Sequence, residues 1–200
     1  MAADSFPEFI RSHFEIKEWR HGIAILRHEF PREWQDLIEV LTQFRLFKSY
    51  ITEPGKNKSK LSQWIDTELI AKRDWAEKKF YTAIKVDEAE RPSPTHWIDC
   101  FKNRIALELE WNNKDPFFDR DLNNFRLLFE LRVVSVGIIL TRSDELQQLI
   151  HEVGGPQRAK SYGNSTTHWS KLIPRIEGGG GGGCPIIAFG IRRSLYEPNG

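Results

Sequence analysis

An α/β fold, a central sheet with helices packed on its faces, is the architecture that this 200-residue chain predicts, on three observations. Residues 104–111 (RIALELEW) alternate one by one, with Ile105, Leu107, Leu109 and Trp111 on one side and Ala106, Glu108 and Glu110 on the other, the two-residue period of a strand. Residues 133–141 are a near-continuous apolar run, as expected of a strand covered on both faces. Around them lie segments whose apolar residues recur at three- and four-residue spacing, the mark of amphipathic helices. A chain of this length buries a full core as one domain, 1–200, without disulfide or metal staples.

In chain order, a short extended segment is expected at 22–27. Pro31, suited to a first helical position, leads into Trp34, Leu37, Ile38, Leu41 and Phe44 at helical spacing, a helix to about residue 47. Residues 52–62 (TEPGKNKSKLS) have loop composition, and 61–80, with Trp64, Ile65, Leu69 and Trp75, predict a second helix. Pro92, Ser93 and Pro94 interrupt the chain before the alternating strand. A helix over 117–131, the buried strand, a helix over 143–153, a polar loop, a helix from about 165 to 175 and a last strand at 185–191 complete the reading. The glycine run at 178–183 contains GxGxxG, but no strand precedes it as a dinucleotide-binding turn requires, so it reads as a flexible connection.

Composition narrows the function. With 29 Lys+Arg against 28 Asp+Glu, the chain is neither a uniformly basic nucleic-acid coat nor an acidic solvating protein. No apolar run is long enough for a bilayer span and the first residues lack a secretory signal, so a cytoplasmic protein is expected. Two cysteines, Cys100 and Cys184, make neither a disulfide framework nor a structural zinc site, and the six histidines show no ligand spacing. Charge is unevenly spread: residues 45–85 hold ten Lys+Arg and five Asp+Glu, whereas 87–130 hold six and ten.

The acidic half carries the chemistry. Asp99 precedes Glu108 and Glu110 by nine and eleven residues. Carboxylate oxygens are hard ligands, and magnesium commonly takes one or two of them together with water and substrate phosphate. Asp99, from an adjoining turn or strand, and Glu108 supply two such ligands. Glu110, about 6.6–7 Å further along the strand, then stands where an attacking water must be held. The competing reading is the solvated face of an edge strand, but an unpaired carboxylate pair in such apolar surroundings is costly without a cation.

This D-x8-E-x-E pattern, followed by a helix and a second apolar strand ending in Thr141-Arg142, resembles the PD-(D/E)xK nuclease core, and specifically the type II restriction endonucleases of the BglII, BstYI and BamHI branch. The resemblance is carried by residues 97–142, with weaker similarity at 31–41, 55–75 and 165–191. It implies a central mixed sheet flanked by helices, and a homodimer that hydrolyses both strands of a short palindromic site with Mg2+, one or two ions per active site. It further implies Asp99, Glu108 and the Leu109 backbone carbonyl as metal ligands and Asp99, Glu108 and Glu110 as catalytic residues, with Glu39 a second acid reaching the site through water. Most such nucleases have Lys where this chain has Glu110; within the branch BamHI has Glu, and BglII and BstYI have Gln. A six-base site with GATC at its centre, and a cognate DNA methyltransferase as a functional rather than physical partner, are further implications.

Loops near 52–62, 112–116 and 154–170 are the expected DNA contacts. Lys56, Lys58 and Lys60 suit backbone phosphates, which position a protein without reading sequence. Asn112, Asn113 and Lys114 follow the acid strand, and Asn and Lys pair with adenine and guanine edges. Asn164, Ser165, Thr166, Thr167 and His168, at an expected helix start, form the second reader, with helix capping as the competing role for its hydroxyls. Two other functions fit the same fold: a DNA-binding protein without catalysis, and a repair or structure-specific nuclease.

Overall fold

The computed structural model describes residues 2–53, 58–93 and 95–199. Its elements are α1 (Glu8–His13), β1 (Phe14–Trp19), α2 (Gly22–Glu29), α3 (Pro31–Gln43), β2 (Leu46–Phe47), α4 (Lys48–Thr52), α5 (Lys60–Asp66), β3 (Ala76–Lys79), β4 (Thr82–Val86) and β5 (Ala89–Ser93). The second half adds β6 (Trp97–Lys102), β7 (Ile105–Glu110), α6 (Pro116–Glu130), β8 (Val136–Arg142), α7 (Leu146–Lys160), α8 (Trp169–Glu177), β9 (Ile186–Ile191) and β10 (Tyr196–Glu197). Six strands form one mixed sheet in the order β1-β9-β8-β7-β6-β3, parallel across β9-β8-β7 and antiparallel at both flanks. The parallel pairs are joined through α6 and through α7 and α8, the helical crossovers that parallel pairing demands.

Strand β7 divides its side chains between two cores, as the alternation predicts. Ile105, Leu107, Leu109 and Trp111 join one core with Val136, Ile138 and Leu140, whereas Ala106 faces the other, built from Phe118, Leu122, Phe125 and Leu128 of α6. Glu108 and Glu110 point to that second side. The edge-strand reading fails: β7 lies between β8 and β6 and every one of its residues is buried. Helix α6 starts with Pro116 at its first turn and presses so closely on β8 that a Cβ at Gly137 would stand 2.4 Å from the Phe125 ring.

Four expectations are corrected. Residues 22–27 are helical within α2, because four consecutive apolar residues, 23–26, fit a buried helix as well as a strand. The helix expected over 61–80 stops early: α5 gives way to a π-turn at Thr67–Ala71, Asp74 takes a positive φ of 58°, and β3 then pairs with β6. The last helix begins at Trp169, with residues 165–168 outside it. The glycine run is a series of hydrogen-bonded turns packed on α6, not a loose connection; a Cβ at Gly181 would stand 2.3 Å from Ile186 and one at Gly182, where φ is +58°, 2.6 Å from Arg126. Among the described residues no helix is long and apolar enough to cross a membrane.

Candidate active site

The ladder between β6 and β7 pairs Lys102 with Ile105, Phe101 with Ala106 and Cys100 with Leu107, and there it ends. Beyond it acid side chains take over the backbone's hydrogen bonding. The Asp99 N–H donates to Glu108 Oε2 at 3.3 Å, and the Leu109 N–H donates to Asp99 Oδ2 at 2.9 Å. Asp99 and Glu108 are thus held side by side where the two strands part.

Glu108 is 1% exposed and Glu110 2%. A fourth acid, Asp121, projects from the apolar face of α6 and is fully buried near both glutamates. Glu110 accepts from Asn113 Nδ2 at 3.0 Å, and Arg120 Nη2 stands 3.3 Å from Glu110 Oε1 and 2.7 Å from Asp121 Oδ1. One guanidinium therefore serves two buried carboxyls, and Glu108 Oε1 and Asp121 Oδ2 are buried with no partner among the described residues. Such a cluster is electrostatically incomplete.

The proton affinities follow. Burial raises Asp99, opposed by the Leu109 N–H; burial, then Asp121 and Asp99, raises Glu108 well above the carboxylate range. Burial, then Asp121, pushes Glu110 up to about 9, and burial raises Asp121 against the pull of Arg120.

The cluster opens into a cleft of about 360 Å³ lined by Lys58, Asp66, Trp97, Asp99, Glu110 and Arg120, among others. No group of three or more His, Cys, Asp and Glu side chains forms a ready-made metal cage among the described residues. Two carboxylates with an orphaned oxygen, beside room for water and phosphate, nevertheless fit magnesium, which seldom uses an all-protein cage.

The other predicted residues divide into three groups. Asn112 and Asn113 line the cleft and Lys114 is exposed beside them. Both reader segments meet: Lys114 and Thr166 form a bridge, the Thr167 N–H donates to the Asn113 carbonyl at 2.8 Å and the Asp115 N–H to that of Ser165 at 3.0 Å. Within the second reader Asn164 and Ser165 are exposed, whereas Thr166, Thr167 and His168, expected as DNA contacts at a helix start, are buried ahead of a helix that begins at Trp169. Lys58 lines the cleft but is bonded to Asp66 at 2.9 Å and Glu77 at 3.4 Å; Lys60 is paired with Glu53. Lys56 lies outside the described residues. Glu39 is not brought to the acids: it pairs with Arg73 at 3.2 Å and accepts from Gln35.

Asp121 and Arg120 were not singled out from sequence. Their signal was present: an Asp one position before Leu122, inside the stripe of Phe118, Leu122, Phe125 and Leu128, faces the core and needs a reason to be there.

A mixed sheet in which β7 carries paired buried acids, next to an acid on its antiparallel neighbour β6, is the geometry the sequence pattern implies. Among curated proteins none matches the chain. The family model described as restriction endonuclease BglII/BglIII matches residues 14–191, from the first residue of β1 to the last of β9. The chain belongs to the BglII/BglIII restriction endonuclease family, with its PD-(D/E)xK fold, and is a site-specific deoxyribonuclease.

Proposed function

We propose that the chain hydrolyses phosphodiester bonds in both strands of a short palindromic DNA site, as a magnesium-dependent type II enzyme. The observation that carries this reading is the Asp99–Glu108 pair, held by backbone N–H bonds, with Asp99 lining a cleft and a Glu108 oxygen buried behind it without a partner among the described residues. Asp99, Glu108 and the Leu109 carbonyl would hold the ion. When bound, it supplies a lowered water pKa and neutralisation of charge building on the phosphate.

The chain's own residues do the rest. Glu110, fixed by Asn113 and Arg120, orients the attacking water. The water's oxygen bonds to phosphorus, the P–O3′ bond breaks, and the products are a 5′-phosphate and a 3′-hydroxyl. Asn112, Asn113, Lys114, Asn164 and Ser165 form one continuous reading surface, and Lys58 contacts phosphates. A two-fold site calls for two copies of the chain, hence a homodimer. Family likeness favours six bases with GATC at the centre.

Digesting DNA of known sequence in magnesium and sequencing the fragment ends tests this reading. Ends that share one palindrome support it, and the shared bases test the GATC centre. Cleavage confined to branched or damaged DNA, or specific binding without cleavage, overturns it.

A further inference from the structure

Arg142, the last residue of β8, is 1% exposed, yet no Asp or Glu forms an ion pair with it among the described residues. Its guanidinium donates only to neutral oxygens: Nη1 to Gln147 Oε1 at 3.1 Å, and Nη2 to the Tyr162 carbonyl at 3.0 Å and to Thr166 Oγ1 at 2.7 Å. Nε has no partner among the described residues, as is also true of the neighbouring Ser143 and Thr167 hydroxyls. A buried charge met only by dipoles is expensive, and an apolar side chain of similar volume is usually at least as stabilising. A planar fork with one arm on Gln147 of α7 and the other on two points of one loop, Tyr162 and Thr166, is what an arginine offers and an apolar residue does not.

Those points belong to the second reader, and its other attachments lead to the acids. Tyr162 OH accepts from Trp111 Nε1 at 2.9 Å, the Thr167 N–H holds the Asn113 carbonyl, and Asn113 Nδ2 holds Glu110. On the same strand end, Thr141 Oγ1 donates to the Glu110 carbonyl at 2.7 Å. Thr141 and Arg142, adjacent in sequence, therefore fasten the end of the catalytic strand and the reader segment to one point.

We propose that Arg142 is a positioning residue that fixes segment 162–167 against 113–115, so that DNA readout and the placement of Glu110 are tied together. The inference rests on the reading that these segments face DNA.

The test uses the full chain carrying Arg142→Lys, which keeps the charge and loses the fork. Without DNA or metal, amide hydrogen exchange at Thr166 and Thr167 should quicken on the order of tenfold while β7 and β8 keep their protection. Unchanged exchange overturns the positioning role whether or not the protein cuts DNA. In magnesium, the ratio of cleavage rates at the preferred site and at a site with one mismatch should fall on the order of tenfold. An unchanged ratio in a variant of wild-type melting temperature overturns the link to readout. Thr166→Val, which removes one of the arginine's acceptors together with the hydroxyl's bond to the Gly163 carbonyl, should move both quantities in the same direction, and serves if Arg142→Lys does not fold; no change in either quantity then overturns the proposal. A wild-type chain that cuts nothing contradicts the functional reading alone, since the exchange measurement still decides what Arg142 holds.

Discussion

Among the described residues, the acids where β6 and β7 part and Arg142 at the end of β8 are both buried short of opposite charge, and the two are resolved differently. At the parting of β6 and β7, three fully buried acids and a half-buried Asp99 lie together, one arginine pairs with Glu110 and Asp121, and carboxyl oxygens of Glu108 and Asp121 are left without partners among the described residues. At the end of β8, Arg142 lies among carbonyls and hydroxyls. A carboxylate relieves its burial by taking a proton, or a cation when one is bound. An arginine is nearly confined to the charged form: burial lowers Arg142 only to about 10, still cationic near neutral pH. On the proposed reading the acids hold an exchangeable counter-ion, whereas the arginine keeps its charge and serves as a permanent anchor.

The largest expected effect breaks the first region. Glu108→Gln keeps the shape and removes the charge, and should lower the cleavage rate on the order of a thousandfold in magnesium, measured on plasmid. The same change should raise the melting temperature of metal-free protein near neutral pH, since an uncharged amide escapes the desolvation that burdens Glu108. Activity and stability moving in opposite directions is the mark of a site strained for function.

The anchor should behave in the opposite way. Arg142→Ala leaves a cavity and three acceptors short of a donor, and should cost about 3 kcal/mol by denaturant titration. Loss of stability there, against a gain at Glu108, sharpens the contrast.

pH separates the regions further. Because the folded-state proton affinities of Asp99, Glu108, Glu110 and Asp121 are raised, the native state binds more protons than the unfolded chain. Their contribution to stability is complete below the ordinary carboxyl range and is lost as pH rises toward about 9, where Glu110 ionises. The slope is roughly 1.4 kcal/mol per pH unit for each extra proton held. Thermal melts in a chelator should thus fall with pH over that window, and Glu110→Gln should flatten the fall. The smallest effect is expected at the cleft rim: Lys58→Ala should weaken binding to all DNA sequences alike and reduce the salt dependence by about one unit of slope.

The acid pair on β7 was legible in the sequence because alternation fixes which face each side chain takes, and the continuous apolar run of β8 marked a covered strand. What stayed hidden depends on pairing. Residues 76–79, AEKK, have no strand pattern of their own and become β3 through hydrogen bonds to β6. Asp121 joins the acids through the docking of α6 on the sheet, which spacing along the chain does not reveal. The burial of Thr166 and Thr167 follows from the bridge to Lys114 and the fork of Arg142, contacts between residues far apart in sequence.

The most direct measurement is a digest of plasmid DNA by wild type and by Glu108→Gln, each in magnesium and in chelator. Discrete double-strand fragments from wild type in magnesium alone are the predicted result. Undiminished fragments from Glu108→Gln, or equal cutting in chelator, would contradict the assignment of the β6–β7 acids as the metal-holding catalytic centre.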